Sequence, residues 1–85
     1  MSRSLPPAPA LLRLRLAPEP GALTRVLGVV QTSQAHLRSV SHVDVGACAW
    51  SLLEVEGLEP ARAELLARRL ADLPCVEALS RVATA

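Results

Sequence analysis

The stretch RLRLAPEPGALTRVLG, residues 13–28, changes its hydrophobic period across a single turn. Before the turn, leucines alternate with arginines in Leu12, Arg13, Leu14, Arg15 and Leu16. This period of two predicts a half-buried strand over residues 11–17. After Gly21, apolar residues recur at the spacing of an amphipathic helix, at Leu23, Val26, Leu27 and Val30. The chain therefore has to place a strand, a tight turn and a helix in direct succession.

Three further strands and a second helix follow along the chain. Residues 36–45 are rich in valine, serine and histidine and predict the second strand, and residues 47–57, which follow a turn at Gly46 and end at Gly57, predict the third strand. Pro60 suits the first position of a helix, where its missing N–H costs nothing, and Pro74 ends that helix. Residues 75–84 predict the fourth strand.

Two local features refine the second strand. The apolar step from Leu37 to Val40 is odd-numbered, which predicts a bulge in the strand. Asp44 and Gly46 predict a hairpin turn into the third strand.

The order β-α-β-β-α-β predicts an α+β, ferredoxin-like sandwich, in which two helices cover one face of a four-stranded antiparallel sheet. Right-handed crossovers give the strand order 4-1-3-2. The second strand then lies at an edge, and pairing with a second copy in a homodimer is one way to protect it. We expect a flexible tail over residues 1–10 and a single domain over residues 11–85.

Composition excludes several classes of function. The 85-residue chain has nine arginines, no lysine and eight acidic residues, so its near-neutral charge argues against nucleic-acid binding. It has no signal-peptide pattern and no apolar run of membrane-spanning length. Two cysteines without an export signal predict free thiols in a cytoplasmic protein that does not bind membranes.

The chain lacks the residues that three known functions of ferredoxin-like domains require. A metal-chaperone domain needs Cys-x-x-Cys at the first turn, RNA recognition needs stacking aromatic residues, and acylphosphatase chemistry needs an asparagine that this chain lacks. His36, His42, Asp44 and Cys48 have no recognised metal-ligand spacing. We therefore expect no metal, no cofactor and no catalytic residue.

Trp50, the single aromatic residue, has two interpretations. If Leu53 and Val55 face the helices, then Trp50 lies on the opposite face of the sheet. The same count places further residues on that face and predicts a partner interface: Arg13, Arg15, Leu52, Leu79 and Arg81. In the alternative, the alternation shifts by one residue and Trp50 fills the core.

The segment PGALTRVLGVVQTSQAHLRSVSHV, residues 20–43, resembles the ACT regulatory domain, in which a glycine precedes a helix that begins Ala-Leu-x-Arg-Val. More narrowly, it is similar to the short, single-domain regulatory (small) subunit of acetolactate synthase, also called acetohydroxyacid synthase. The resemblance extends more loosely through EPARAELLARRLADLPCVEALSRV to about residue 83.

This resemblance implies an effector site at the start of the first helix. An amino acid would lie against Gly21, Ala22 and Leu23, where free backbone N–H groups suit a carboxylate. Two positions where the family often has asparagine are Pro18 and His36 here. In the alternative, Gly21 is only a turn residue.

The implied function is the binding and allosteric activation of the thiamine-diphosphate-dependent catalytic large subunit in branched-chain amino acid biosynthesis, and a branched-chain amino acid is the candidate effector. Two alternatives stay open. One is a free-standing ACT-like sensor that acts on another enzyme, and the other is a dimerisation module without a ligand.

Overall fold

The computed structural model describes residues 9–82. The elements follow in the order β1 (Ala10–Leu16), α1 (Ala22–Thr32), β2 (His36–Asp44), β3 (Ala49–Glu56), α2 (Pro60–Ala71) and β4 (Val76–Val82). The antiparallel sheet has the order β2-β3-β1-β4, so the predicted ferredoxin-like architecture and strand order are confirmed. Ala10 already belongs to β1, and residues 1–8 of the expected tail lie outside the described residues.

The core depends on the alternation in β1. Leu12, Leu14 and Leu16 are at most 1% exposed, whereas Arg13 and Arg15 are exposed on the other side of the strand. Because β1 lies between β3 and β4, its leucines reach the middle of the layer between sheet and helices. The strand thus carries the centre of the core on one side only.

Each helix places one apolar stripe against the sheet. The buried residues recur three or four positions apart, at Ala22, Val26 and Val30 in α1 and at Ala63, Leu66, Ala67 and Leu70 in α2. Apart from Cys75, the core cluster consists of leucine, valine and alanine. Neither helix is long and apolar enough to cross a membrane, as judged over residues 9–82.

Both edge strands contain a bulge. In β2 the register shifts between Leu37 and Ser39, so Arg38 has no partner residue on β3, and the predicted bulge is confirmed. In β4 the register shifts where Val76 pairs with Leu16, which leaves Glu77 without a partner on β1. The second bulge was not predicted, and it changes which residues of β4 face the helices.

The turn between β2 and β3 forms as Asp44 and Gly46 predict. The Gly46 N–H donates to Asp44 Oδ1 at 2.8 Å, and the Val45 N–H donates to the Cys48 carbonyl at 2.9 Å. Cys48 and Cys75 each lie just before a strand, where both are buried and free, as expected.

We predict that Leu14→Ala lowers the free energy of unfolding by about 2–5 kcal/mol, because it opens a cavity under a fully buried side chain. Urea denaturation measures the change. Leu65→Ala removes the same atoms from a side chain that is 47% exposed, and it should change stability by less than about 0.5 kcal/mol. Equal effects of the two substitutions would contradict this description of the core.

Candidate functional site

A cleft of about 370 Å³ lies between the β1–α1 turn and the last residues of β2. Its base is apolar and is formed by the buried residues Leu16, Ala22 and Ala49. The remaining lining residues come from the turn, the first turn of α1 and the end of β2: Ala17, Pro18, Glu19, Pro20, Gly21, Leu23, Thr24, His42 and Asp44. The structure therefore brings together four of the five predicted effector residues.

The start of α1 offers unpaired donors to this cleft. Gly21 precedes the helix with φ of 82°, a left-handed conformation that glycine adopts without steric cost. No side chain caps the helix, and its first turn contains no acidic residue. Within residues 9–82, the N–H groups of Leu23 and Thr24 have no backbone acceptor, whereas the Ala22 N–H donates to the Glu19 carbonyl at 3.4 Å, so the prediction of a free donor at Ala22 is wrong. Such groups, together with the helix dipole, favour a negatively charged ligand group.

His42 and Asp44 form the opposite wall. His42 Nδ1 lies 2.6 Å from the hydroxyl of Ser51, which is 1% exposed and is the buried polar residue of the described core. This hydrogen bond fixes the imidazole at the cleft, although β2 is otherwise an exposed edge strand. Asp44 accepts one backbone bond, from Gly46, and its carboxylate also lines the cleft. The cleft therefore has free N–H donors together with Glu19 on the α1 side, and Asp44 on the β2 side.

His36 lies outside this cleft of its own chain, and its role in effector binding stays a prediction. His36 begins β2, pairs with Glu56 across the sheet, and has its Nε2 atom 3.8 Å from that carboxylate. The 11-residue helix α1 carries the chain about 16 Å away from the cleft, and β2 returns to it only at His42 and Asp44. The predicted topology already fixes the direction of β2, so the position of His42 and Asp44 near the β1–α1 turn could have been predicted from the sequence.

The face of the sheet opposite the helices, called the open face below, forms a second candidate surface. The strand register places these residues on it: Leu11, Arg13 and Arg15 of β1, His36, Ser39, Ser41 and Val43 of β2, Trp50, Leu52, Glu54 and Glu56 of β3, and Ala78, Ser80 and Val82 of β4. The bulge residues Arg38 and Glu77 belong to it as well, because they form ion pairs with its members. Trp50 is 39% exposed and Leu52 is 38% exposed. The alternative that Trp50 fills the core is wrong.

Leu79 and Arg81 do not lie on the open face, and this part of the prediction is wrong. Leu79 pairs with Leu14, and Arg81 pairs with Leu12, so both share the helix side with buried leucines. The cause is the bulge at Glu77, which shifts the alternation of every later residue in β4 by one position. The predicted placement of Arg13, Arg15, Trp50 and Leu52 is confirmed.

Comparison with solved structures identifies the architecture. The ACT domain from GTP pyrophosphokinase of Chlorobium tepidum superposes with a TM-score of 0.79 and 15% sequence identity, covering 88% of this chain and 97% of that chain. The fold is that of an ACT domain.

Two other structures share it. Homoserine dehydrogenase from Thiobacillus denitrificans matches with a TM-score of 0.74 and 16% identity, over 88% of this chain and 17% of that chain. The C-terminal domain of the MgtC protein from Mycobacterium tuberculosis matches with a TM-score of 0.73 and 19% identity, over 98% and 94% of the two chains. No family model and no curated protein matches the sequence.

We predict that Gly21→Ala lowers the free energy of unfolding by about 1–2 kcal/mol through its left-handed backbone alone, because an added Cβ would meet no atom within 4 Å. Gly28 is the matched control, because a Cβ added there would also have no atom within 4 Å, while its φ is not in the left-handed region. Gly28→Ala should raise stability by up to about 1 kcal/mol. Thermal unfolding of both variants measures the contrast, and a stabilised Gly21→Ala variant would contradict it.

Proposed function

We propose that this chain is the single-domain regulatory subunit of an acetolactate synthase. It has no catalytic role of its own, and it binds and allosterically activates the catalytic large subunit in branched-chain amino acid biosynthesis. The ACT-type fold supports the regulatory part of this proposal. The resemblance over residues 20–43 supports the choice of enzyme, and both the turn and the cleft lie within or beside that segment.

The observation that carries the proposal is the uncapped start of α1 facing Asp44 across an apolar base. An α-amino acid matches this arrangement. Its carboxylate binds the free N–H groups of Leu23 and Thr24, and its ammonium group approaches the Asp44 carboxylate. A branched aliphatic side chain then lies on Leu16 and Ala49. A branched-chain amino acid is therefore the proposed effector.

The edge strand β2 provides the proposed homodimer contact. Among residues 9–82 no strand pairs with the outer side of its backbone, Val40 is 39% exposed and Val43 is 55% exposed. A mainly apolar groove of about 270 Å³ next to it is lined by Leu27, Val30, Gln31, Ala35 and Leu37. Pairing β2 with β2 of a second copy satisfies the backbone groups and covers these residues. It also places the second copy beside the His42 and Asp44 wall of the cleft.

A free-standing amino acid sensor that acts on another enzyme is the second candidate. The ACT-type fold supports it equally, because the fold does not specify the enzyme that is regulated. The two candidates share the effector chemistry and differ in the partner.

We predict that the purified chain co-purifies with the catalytic subunit of acetolactate synthase and raises its activity. Adding valine, leucine or isoleucine should then change the affinity of the chain for the catalytic subunit by about 5-fold to 150-fold, which corresponds to a coupling free energy of about 1–3 kcal/mol. Absence of both binding and activation would reject this role. Amino acid binding in calorimetry without enzyme binding would support the free-standing sensor, and loss of all three signals would support a dimerisation module without a ligand.

A matched pair of variants tests the position of the effector. Asp44→Asn removes the carboxylate on the β2 side of the cleft and should weaken amino acid binding about tenfold or more, because a charged hydrogen-bond partner is lost. Glu64→Gln makes the same chemical change on the exposed surface of α2 and should leave binding unchanged. Equal affinities of the two variants would move the effector away from the cleft.

We predict that Val40→Lys converts the proposed dimer into monomers, because it places a charge at the centre of the β2 edge. Sedimentation velocity measures the oligomeric state. The control Leu65→Lys adds the same charge to a more exposed position on α2, and it should leave the dimer intact. A wild-type chain that sediments as a monomer would contradict edge pairing.

A further inference from the structure

The charged side chains of the open face are almost all paired. Arg15 Nε lies 3.1 Å from Glu77 Oε1, and Arg38 Nη1 lies 3.4 Å from Glu56 Oε2. Arg38 also approaches Glu54, whose Oε1 atom accepts a hydrogen bond from the Ser39 hydroxyl at 3.1 Å. These pairs follow the bulged segments of the two edge strands.

Arg13 is the exception. Within residues 9–82 no carboxylate lies within 4 Å of its guanidinium, which instead sits over Trp50, 5.5 Å from the ring centroid. This contact orients the guanidinium and leaves its edge, with the N–H donors, available. Both residues belong to β1 and β3, the two interior strands of the sheet. The unpaired charge is therefore central, and the paired charges surround it.

Exposed apolar side chains lie on the same face as Arg13 and Trp50. Leu52 is the cross-strand partner of Arg13, and Val82 is the partner of Leu11 on the same face; Leu52 and Val82 are each 38% exposed. A tryptophan and an arginine among apolar neighbours, inside a polar rim, form the composition of an interaction hot spot.

We propose that the open face docks a protein partner that presents one carboxylate among apolar side chains, and that this carboxylate binds Arg13 beside Trp50. The inference rests on the proposed function for the identity of the partner, the acetolactate synthase catalytic subunit. It adds the chemistry by which the two subunits recognise each other. Removal of the carboxylate–guanidinium pair from water by the surrounding apolar groups makes the contact selective for an acidic residue at that point.

Charge complementarity favours a partner with one carboxylate over a second copy of this chain and over a nucleic acid. A second copy stacked face to face would bring another unpaired Arg13, while the carboxylates of Glu54, Glu56 and Glu77 already face basic side chains. A nucleic acid would bring a row of phosphates against the same three carboxylates. An isolated carboxylate in apolar surroundings meets neither obstacle.

The test compares Arg13→Gln with Arg81→Gln by titrating each purified variant into the catalytic subunit in a calorimeter. Arg81 is the matched control, because it is an exposed arginine of the same sheet on the helix side. We expect Arg13→Gln to weaken binding about tenfold or more and Arg81→Gln to leave it unchanged. If the catalytic subunit binds all three proteins equally, the docking proposal is overturned while the proposed function stands.

If the catalytic subunit does not bind at all, the proposed function is rejected. A second measurement then tests the docking chemistry by itself. The probes are the capped tripeptides acetyl-Leu-Glu-Leu-amide and acetyl-Leu-Gln-Leu-amide, added to isotope-labelled chain in solution NMR. Shifts of the Arg13 and Trp50 side-chain signals with the glutamate peptide, absent with the glutamine peptide and in Arg13→Gln, support the docking chemistry. Equal or absent shifts overturn it. Loss of the dimer in Arg13→Gln would show that a second copy covers the face, which also overturns it.

Discussion

The contact of the β1 leucines with the two helices is the interaction on which the rest of the structure depends. Leu12, Leu14 and Leu16 fill the centre of a core that has no aromatic ring, so the strand needs an apolar residue at each inward position. The same alternation sends Arg13 and Arg15 to the other side of the sheet. The core and the open face are therefore two consequences of one seven-residue strand.

Sequence reasoning reached the architecture because its evidence was periodic. The switch of period around Gly21 and the proline at the start of α2 locate elements without knowledge of their partners. The failures concern Leu79 and Arg81, whose environments depend on how strands align. An odd-numbered apolar step predicts the bulge in β2, but the same step from Val76 to Leu79 was not interpreted as a bulge in β4, where Glu77 shifts every residue after it. Sequence reasoning did not assign His42 and Asp44 to the cleft, because the resemblance implies a site residue at the start of β2, whereas the end of β2 lies beside the β1–α1 turn.

The proposed dimer would couple ligand binding in the cleft to docking at the open face. Four strands of about 24 Å at a spacing of about 4.8 Å give an open face of roughly 450 Å², about half of what one partner buries in a standard interface. Pairing of two β2 edges would place two such faces side by side and reach the standard size. A ligand that stabilises the edge contact would then also favour docking, which is the thermodynamic linkage that allostery requires.

Each edge strand contains one extra residue, and in both strands that residue is charged and pairs with an interior strand: Arg38 with Glu54 and Glu56, and Glu77 with Arg15. The interior pair β1 and β3 keeps an unbroken register. Gain or loss of a single codon in an edge strand at the bulge would therefore change the charges at the margins of the open face without altering the register of the two strands at its centre. Length variation at the margins of the sheet thus changes the charge pattern of this surface and leaves the centre of the core in place.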